Sequence, residues 1–227
     1  LGALYEQDFL DCSMGGRKGC SAHQAVATFC KATASRKVNW VYEADLKNFF
    51  GSLDHGWVER FVSERVGDPR IMSLIKRWLK AGIIEEGQWY STEQGTPQGG
   101  PISVLISNIY LHYVLDLWIE KVVKPRMAGE VYYIRYVDDF VLCFQYKTDA
   151  QRFEKALVKR LSKFALSLEP SKTRLVAFGR FAQENALAQG EKPETIYFLG
   201  FTFFCSKTKN GRFKVGMKTE KSRLRRG

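Results

Sequence analysis

What the sequence lacks narrows it first. No uninterrupted apolar run reaches the about 18 residues that a bilayer-spanning helix needs. The longest candidate, Val104 to Trp118, is broken by Ser107, Asn108, His112 and Asp116, so no membrane partner is expected. No signal-peptide pattern opens the chain. The five cysteines, Cys12, Cys20, Cys30, Cys143 and Cys205, are odd in number and include no Cys-x-x-Cys. That argues against a disulfide framework or a zinc site; reduced thiols in a cytoplasmic protein are expected instead. The three histidines, His23, His55 and His112, show no metal-ligand spacing. Repeats, low-complexity tracts and long linkers are also missing. The first residues, Leu-Gly-Ala without Met, read as a fragment or a processed chain.

What is present points to a globular protein with a polyanionic partner. A chain of 227 residues, 45% hydrophobic and 14% aromatic, can bury a core as one large domain or two intimate subdomains. Lys and Arg total 35 against 24 Asp and Glu, a formal charge of +11. With a membrane surface disfavoured, nucleic acid is the expected partner.

The periodicities give an order of elements. Trp40, Tyr42, Ala44 and Leu46 alternate with Val41, Glu43 and Asp45, which predicts a strand ending near Asp45. Asp68-Pro69 predicts an N-cap and N1 proline opening a helix to about Lys80. Ile83-Ile84 and Trp89-Tyr90 flank Glu85 to Gln88 as a hairpin. Pro101 begins a helix to about Val123. Val131 to Val137 and Phe140 to Tyr146 are β-rich. Thr148-x-x-Gln151 has the pattern of a capping box, followed by Phe153, Ala156, Leu157, Leu161 and Phe164 on one helical face. Thr173 to Phe178 and Ile196 to Cys205 read as strands, and Gly211 to Met217 as a last hairpin arm. Strand, helix, strand, strand, helix, strand is the split βαβ, ferredoxin-like order, with 54–100 inserted after the first strand. In such a sheet Asp45 and the Asp138–Asp139 turn would lie on neighbouring strands.

Asp138 and Asp139 sit between the apolar runs Tyr132-Tyr133-Ile134 and Phe140-Val141-Leu142. Alone, the pair supports a turn, where Asp is favoured, or a metal site. Adjacent carboxylates near a core are costly unless a cation compensates. Mg²⁺, with its preference for hard oxygen ligands, would do so. Asp45 would complete a two-metal site for phosphoryl transfer.

Five motifs, in order and covering nearly the whole chain, carry a resemblance. Tyr136-Val137-Asp138-Asp139 resembles the Tyr-x-Asp-Asp signature of reverse transcriptases. Asp45-Leu46-Lys47-Asn48-Phe49-Phe50-Gly51-Ser52-Leu53-Asp54-His55 resembles the first catalytic-aspartate motif of bacterial group II intron reverse transcriptases. Gln94-Gly95-Thr96-Pro97-Gln98-Gly99-Gly100-Pro101-Ile102-Ser103 resembles the glutamine-glycine motif of that group. Leu199-Gly200-Phe201 matches a short motif near the end of the palm, and Ser13 to Ala25 resembles a fingers motif. The departures are Gly16 for Phe, Lys18 for Pro and Cys20 for the second Arg in the fingers motif, Val137 where Ala is usual, and Val104 where Pro commonly follows Ile-Ser.

The resemblance implies an α+β right-hand polymerase lacking most of the thumb. Its parts would be partial fingers (1–37), the first palm strand (38–53), a fingers/palm insertion (54–100), the main palm (101–205) and a basic end leading toward the thumb (206–227). More fingers sequence would precede Leu1 and a helical thumb would follow. The implied activity is RNA-directed DNA polymerisation with two Mg²⁺ ions, or Mn²⁺ in their place. Metal ligands would be Asp45, Asp138, Asp139 and the Leu46 backbone carbonyl. Lys172 would protonate the leaving pyrophosphate. Phe50 would gate the incoming sugar; Gln98, Gly99, Arg17 and Lys18 would contact the nucleotide; Leu199, Gly200 and Phe201 would grip the primer. The implied partners are an RNA template, a DNA or RNA primer, dNTPs and a structured intron or other noncoding RNA.

Phe49 and Phe50 could not both face one way on an extended chain. The run of cations from Lys207 to Arg226 is either a solvated face or a phosphate-tracking surface. Two other readings stay open. One is a maturase-like RNA-binding splicing factor, or a retron, CRISPR-associated or defence-associated reverse transcriptase. The other is a nucleotide cyclase on a similar core.

Overall fold

A computed structural model describes residues 1–81, 83–85, 88–90, 94–96 and 100–219, with 83–85 and 88–90 followed by their backbone alone. After a short helix α1 (Gly2–Tyr5), helix α2 runs Ala22–Ser35. Its start carries a capping box: Gln24 N–H donates to Ser21 Oγ, and Ser21 N–H donates to Gln24 Oε1. Strand β1 (Trp40–Ala44) leads into α3 (Phe49–Ser52), α4 (His55–Ser63) and α5 (Pro69–Leu79). Asp68 caps α5 by accepting from Arg70 N–H, with Pro69 in the first turn as predicted. Strands β2 (Ile83–Glu85) and β3 (Gln88–Tyr90) pair as the expected hairpin.

Helix α6 (Pro101–Leu111) continues through two widened π-turns, His112–Asp116 and Ile119–Val123. The stretch Ile102–Arg126 is, by length and composition, long and apolar enough to cross a bilayer, which corrects the expectation from uninterrupted runs. Its apolar face is instead taken up by the protein: 67% of its most apolar window is buried inside. Then follow β4 (Val131–Tyr136), β5 (Asp139–Phe144), α7 (Lys147–Ser162), β6 (Arg174–Ala177), α8 (Ala182–Ala188), β7 (Thr195–Phe198), β8 (Phe201–Lys207) and β9 (Phe213–Thr219).

The central sheet has the order β4-β5-β1-β6 with every neighbouring pair antiparallel. This is the split βαβ arrangement expected from the element order. Both faces are covered, which is why β1 is buried along almost its whole length. On one face Tyr42, Tyr133, Phe140 and Leu142 pack with Leu111, Val114 and Leu115 of the long helix and Phe153, Leu157 and Leu161 of α7. On the other, Val41, Ile134, Val141 and Val176 pack with Val26 and Phe29 of α2 and Ile196, Phe198 and Phe203 of the β7–β8 hairpin. Each such side chain contributes about 1.5–3 kcal/mol on full burial.

Three local expectations fail for physical reasons. Helix α7 starts at Lys147, so Thr148 already lies in its first turn and caps nothing. Asp149 lies buried in that turn, and its carboxylate accepts from the N–H groups of Ala128 and Gly129. Ala156 is exposed, and Ala150 takes its place in the core. Ile196 to Cys205 is two strands rather than one. Leu199 and Gly200 both have positive φ (52° and 78°) and form the two-residue loop of a hairpin in which Phe198 faces Phe201.

Candidate active site

The register of the sheet assembles the acids. Ala44 faces Phe140, and Tyr136 faces Asp139 across a two-residue turn. Asp45, the residue after β1, therefore arrives beside the Val137–Asp138 turn from the neighbouring strand. Its backbone is held there by an antiparallel bridge between Leu46 and Leu168, with Lys47 N–H donating to Ser167 O and Glu169 N–H donating to Asp45 O.

The turn is strained. Val137 has φ 59°, a region that β-branched side chains rarely adopt and that costs on the order of 1–3 kcal/mol. Below it, the loop after Leu10 is bound to β4 itself. Arg135 N–H donates to Cys12 O, and Met14 N–H donates to Arg135 O.

Two clefts open on the acids and share the wall formed by Asp45, Asp138 and Lys172. One, of about 650 Å³, is also lined by Leu46, Asn48, Phe50, Ser103 and Val104. The other, of about 610 Å³, is also lined by Asp139, Arg174, Tyr197, Leu199 and Gly200. Both volumes suit a nucleotide-sized ligand.

Burial drives the Asp139 carboxyl up to about 7, with Asp45, Asp138 and Glu43 pushing the same way and the Leu199 N–H opposing them. Burial likewise raises Asp138, and the charge of Asp45 adds to it. Lys172, at the end of a 3₁₀ turn, donates to Asp45 Oδ2 over 2.5 Å. That bond and the carboxylate's charge hold the ammonium above the ordinary lysine range. Among the described residues, no three Asp, Glu, His or Cys side chains converge closely enough to form a metal cage by themselves. The donor set nevertheless fits hard divalent cations: three carboxylates from adjacent strands, two of them destabilised as anions by burial and like charge.

Both rings border the first cleft, Phe50 half-buried and Phe49 almost fully buried in the core, 5.4 Å apart. The chain there is not extended. Asn48 is left-handed (φ 43°) and α3 follows, so a helical turn rather than strand alternation separates the rings. The described part of the Gln-Gly loop is tied to the Phe50 backbone. Thr96 N–H donates to Phe50 O and Gly95 N–H donates to Leu53 O, while His55 Nε2 lies 2.7 Å from Gly95 O. Gln98 and Gly99 lie outside the described residues.

Leu199 and Gly200 line the second cleft, and Leu199 N–H donates to Asp139 Oδ2 at 3.4 Å. Phe201 packs against the core on the α2 side of the sheet instead. Arg17 is bonded within its own neighbourhood. Its guanidinium donates to Glu6 and to the carbonyls of Leu10 and Ser13, and it lines neither cleft. Lys18 is exposed. With these partners the guanidinium ties the loop together.

Sequence reading missed Glu43 and the polar cluster under the turn. Glu43 accepts from Arg174 through Oε2 and from Tyr197 N–H through Oε1, which docks the β7–β8 hairpin on the sheet. Arg135 and Asp116 pair in the interior. The available signal was a charged residue inside each of two apolar strands and inside the apolar helix, since buried charges require partners.

Comparison with known proteins agrees with this geometry. Residues 3–203 match the profile of the reverse transcriptase (RNA-dependent DNA polymerase) family. The chain is 38% identical over 121 residues to the group II intron-encoded protein LtrA of Lactococcus lactis subsp. cremoris, covering 52% of this chain and 20% of that protein. It is 34% identical over 170 residues to protein YkfC of Escherichia coli K12, covering 61% of this chain and 44% of that one. The chain thus spans less than half the length of these relatives. A solved structure of apo telomerase from Candida tropicalis superposes with a TM-score of 0.66 at 14% identity, over 97% of this chain and 39% of that one, which shows the shared polymerase fold. The acids gathered by the sheet, the motif order and the match across residues 3–203 have one reading: the chain belongs to the reverse transcriptase (RNA-dependent DNA polymerase) family.

Proposed function

We propose that the chain is the fingers and palm of an RNA-directed DNA polymerase of the group II intron type, extending a primer with dNTPs on an RNA template. The observation that carries this reading is the shared wall: Asp45 and Asp138 stand between a cleft bearing Phe50 and a cleft bearing the Leu199–Gly200 turn. A nucleotide in the first and a primer end in the second would meet at the acids.

Each residue has a role in that arrangement. Asp45, Asp138 and Asp139, with the Leu46 carbonyl, would hold two Mg²⁺ ions, which Mn²⁺ can replace. Such ions supply charge neutralisation at the attacking and leaving oxygens. Phe50 closes the floor of its cleft against a 2′-OH, the group that distinguishes ribonucleotides. Lys172, hydrogen-bonded to Asp45, would give a proton to the departing pyrophosphate. Leu199 and Gly200 position the primer terminus, and Gln98 and Gly99 contact the nucleotide and template. Lys207, Lys209, Arg212, Lys214 and Lys218, all on or beside the β8–β9 hairpin, supply phosphate contacts to template, primer or a structured RNA.

Primer extension with purified protein, dNTPs and an RNA template tests the reading. Incorporation should require a divalent ion and vanish in Asp138→Asn and Asp139→Asn while RNA binding persists. Extension that survives in both variants would rule the assignment out.

A further inference from the structure

The guanidinium of Arg135 is fully buried one residue before the Tyr-Val-Asp-Asp turn, with all five of its N–H donors matched. Nε donates to Asp116 Oδ1 (2.8 Å) and Nη2 to Asp116 Oδ2 (2.6 Å). Nη2 also reaches Ser13 Oγ (2.7 Å), and Nη1 reaches Asn108 Oδ1 (2.9 Å) and the Val137 carbonyl (2.8 Å). Asp116, equally buried, lies on the π-turn of the long helix and also accepts from Tyr133 OH. Asn108 Nδ2 donates to Gly15 O, and a Cβ on Gly15 would come within 2.4 Å of Val137 N. Three separate segments, the Ser13–Gly15 loop, the long helix and β4, thus converge on one peptide of the catalytic turn.

A buried ion pair contributes little stability relative to apolar residues of the same volume. Its location under the one turn residue held at an unfavourable φ calls for a geometric reason. Only a planar fork can bind a carboxylate side-on and still direct another donor at the Val137 carbonyl; an ammonium, as a point donor, cannot do both. We propose that Arg135 is a positioning residue: fixed by Asp116 and Asn108, it holds the Val137 carbonyl and so sets the turn in which Asp138 and Asp139 face the clefts. Divalent-ion affinity then depends on a side chain that touches neither ion nor substrate. The inference rests on the polymerase reading above.

The test is Mn²⁺ binding to the full chain without substrates, followed by electron paramagnetic resonance, alongside thermal melting and primer extension. Arg135→Lys should weaken Mn²⁺ binding on the order of 10- to 100-fold in folded protein, as loss of an orienting partner does at metal sites, with kcat falling and the KM for dNTP little changed. Adding Val137→Gly should restore part of the Mn²⁺ affinity, because glycine adopts positive φ without strain. Should Arg135→Lys fail to fold, Asn108→Ala carries the same test, since it removes one Nη1 acceptor and leaves the Asp116 pair intact. A folded variant that melts lower but binds Mn²⁺ as the wild type does would overturn the proposal and leave a merely structural pair. Wild-type protein that binds no Mn²⁺ and extends no primer would overturn the polymerase reading and this one together.

Discussion

The backbone N–H of Leu199 donates to Asp139 Oδ2 across 3.4 Å. The turn of the β7–β8 hairpin and a carboxylate of the candidate metal site therefore share a hydrogen bond, although 60 positions separate them in the chain. The bond partly offsets the burial that raises Asp139. It also makes the placement of the Leu199–Gly200 turn and the orientation of that carboxylate a single structural problem.

Stability should carry a pH signature of Asp139. Its folded carboxyl titrates at about 7, against about 3.9 in an unfolded chain. Between those values the folded protein keeps a proton that the unfolded chain has released, so stability present below the unfolded value is lost as pH rises toward the folded one. Without divalent ions, the wild type should melt lower at about pH 7.5 than at about pH 5.5, and Asp139→Asn should flatten that difference. Mg²⁺ added at the higher pH should raise the wild-type midpoint by selective binding to the folded state. Parallel melting profiles for wild type and variant would exclude Asp139 as the source.

Glu43 ties β1 to β6 and β7 through Arg174 and the Tyr197 N–H. Glu43→Ala should cost about 1.5–3 kcal/mol, the range for hydrogen bonds to a charged group. Because the hairpin it docks bears Leu199, primer affinity should fall more than dNTP affinity. Denaturant unfolding and titrations with primer and dNTP measure the two effects; an equal loss of affinity for both would contradict the hairpin's role.

Gly95 joins the Gln-Gly loop to the Phe50 turn. It has φ 86°, and a Cβ there would stand 2.8 Å from both Gly51 Cα and Phe50 O. The contacts are backbone, so nothing can swing aside. Gly95→Ala should destabilise by at least about 1–3 kcal/mol and raise the KM for dNTP by displacing Phe50. Unfolding midpoints and steady-state kinetics check it; a neutral substitution would mean that the loop docks differently.

Phe50 shares its cleft with Asp45 and Asp138. Shortening it to Val should leave dNTP incorporation working and raise relative use of rNTPs on the order of tenfold or more, the scale of discrimination set by apolar bulk in a pocket. Competing dNTP and rNTP incorporation on one template reads the ratio directly. No change in that ratio would place the sugar elsewhere.

The order of elements was legible because periodicity and turn chemistry act locally. Asp68-Pro69 marked a helix start, and the alternation from Trp40 marked a buried strand. Capping was less legible. Thr148-x-x-Gln151 and Ser21-x-x-Gln24 carry equivalent patterns, yet only the second caps a helix, because the buried Asp149 belongs to the first turn of α7. The Leu199–Gly200 turn was read as part of a strand for a similar reason. Leucine at positive φ has no local signature, and only the pairing of β7 with β8 imposes it.

By itself the sequence determined the acids, their motifs, the split βαβ order and the family resemblance, since each depends on residue type and spacing. Tertiary structure decided what those residues are attached to. It bound Arg17 into its own loop, set Lys172 against Asp45, joined Leu199 to Asp139, and placed Arg135 under Val137 on a carboxylate from the long helix. The reason is physical: a buried charge must find a partner, but no spacing along the chain says which one. In the Tyr-Val-Asp-Asp turn the two carboxylates are written in the sequence; the direction they face follows from the packing of three distant segments.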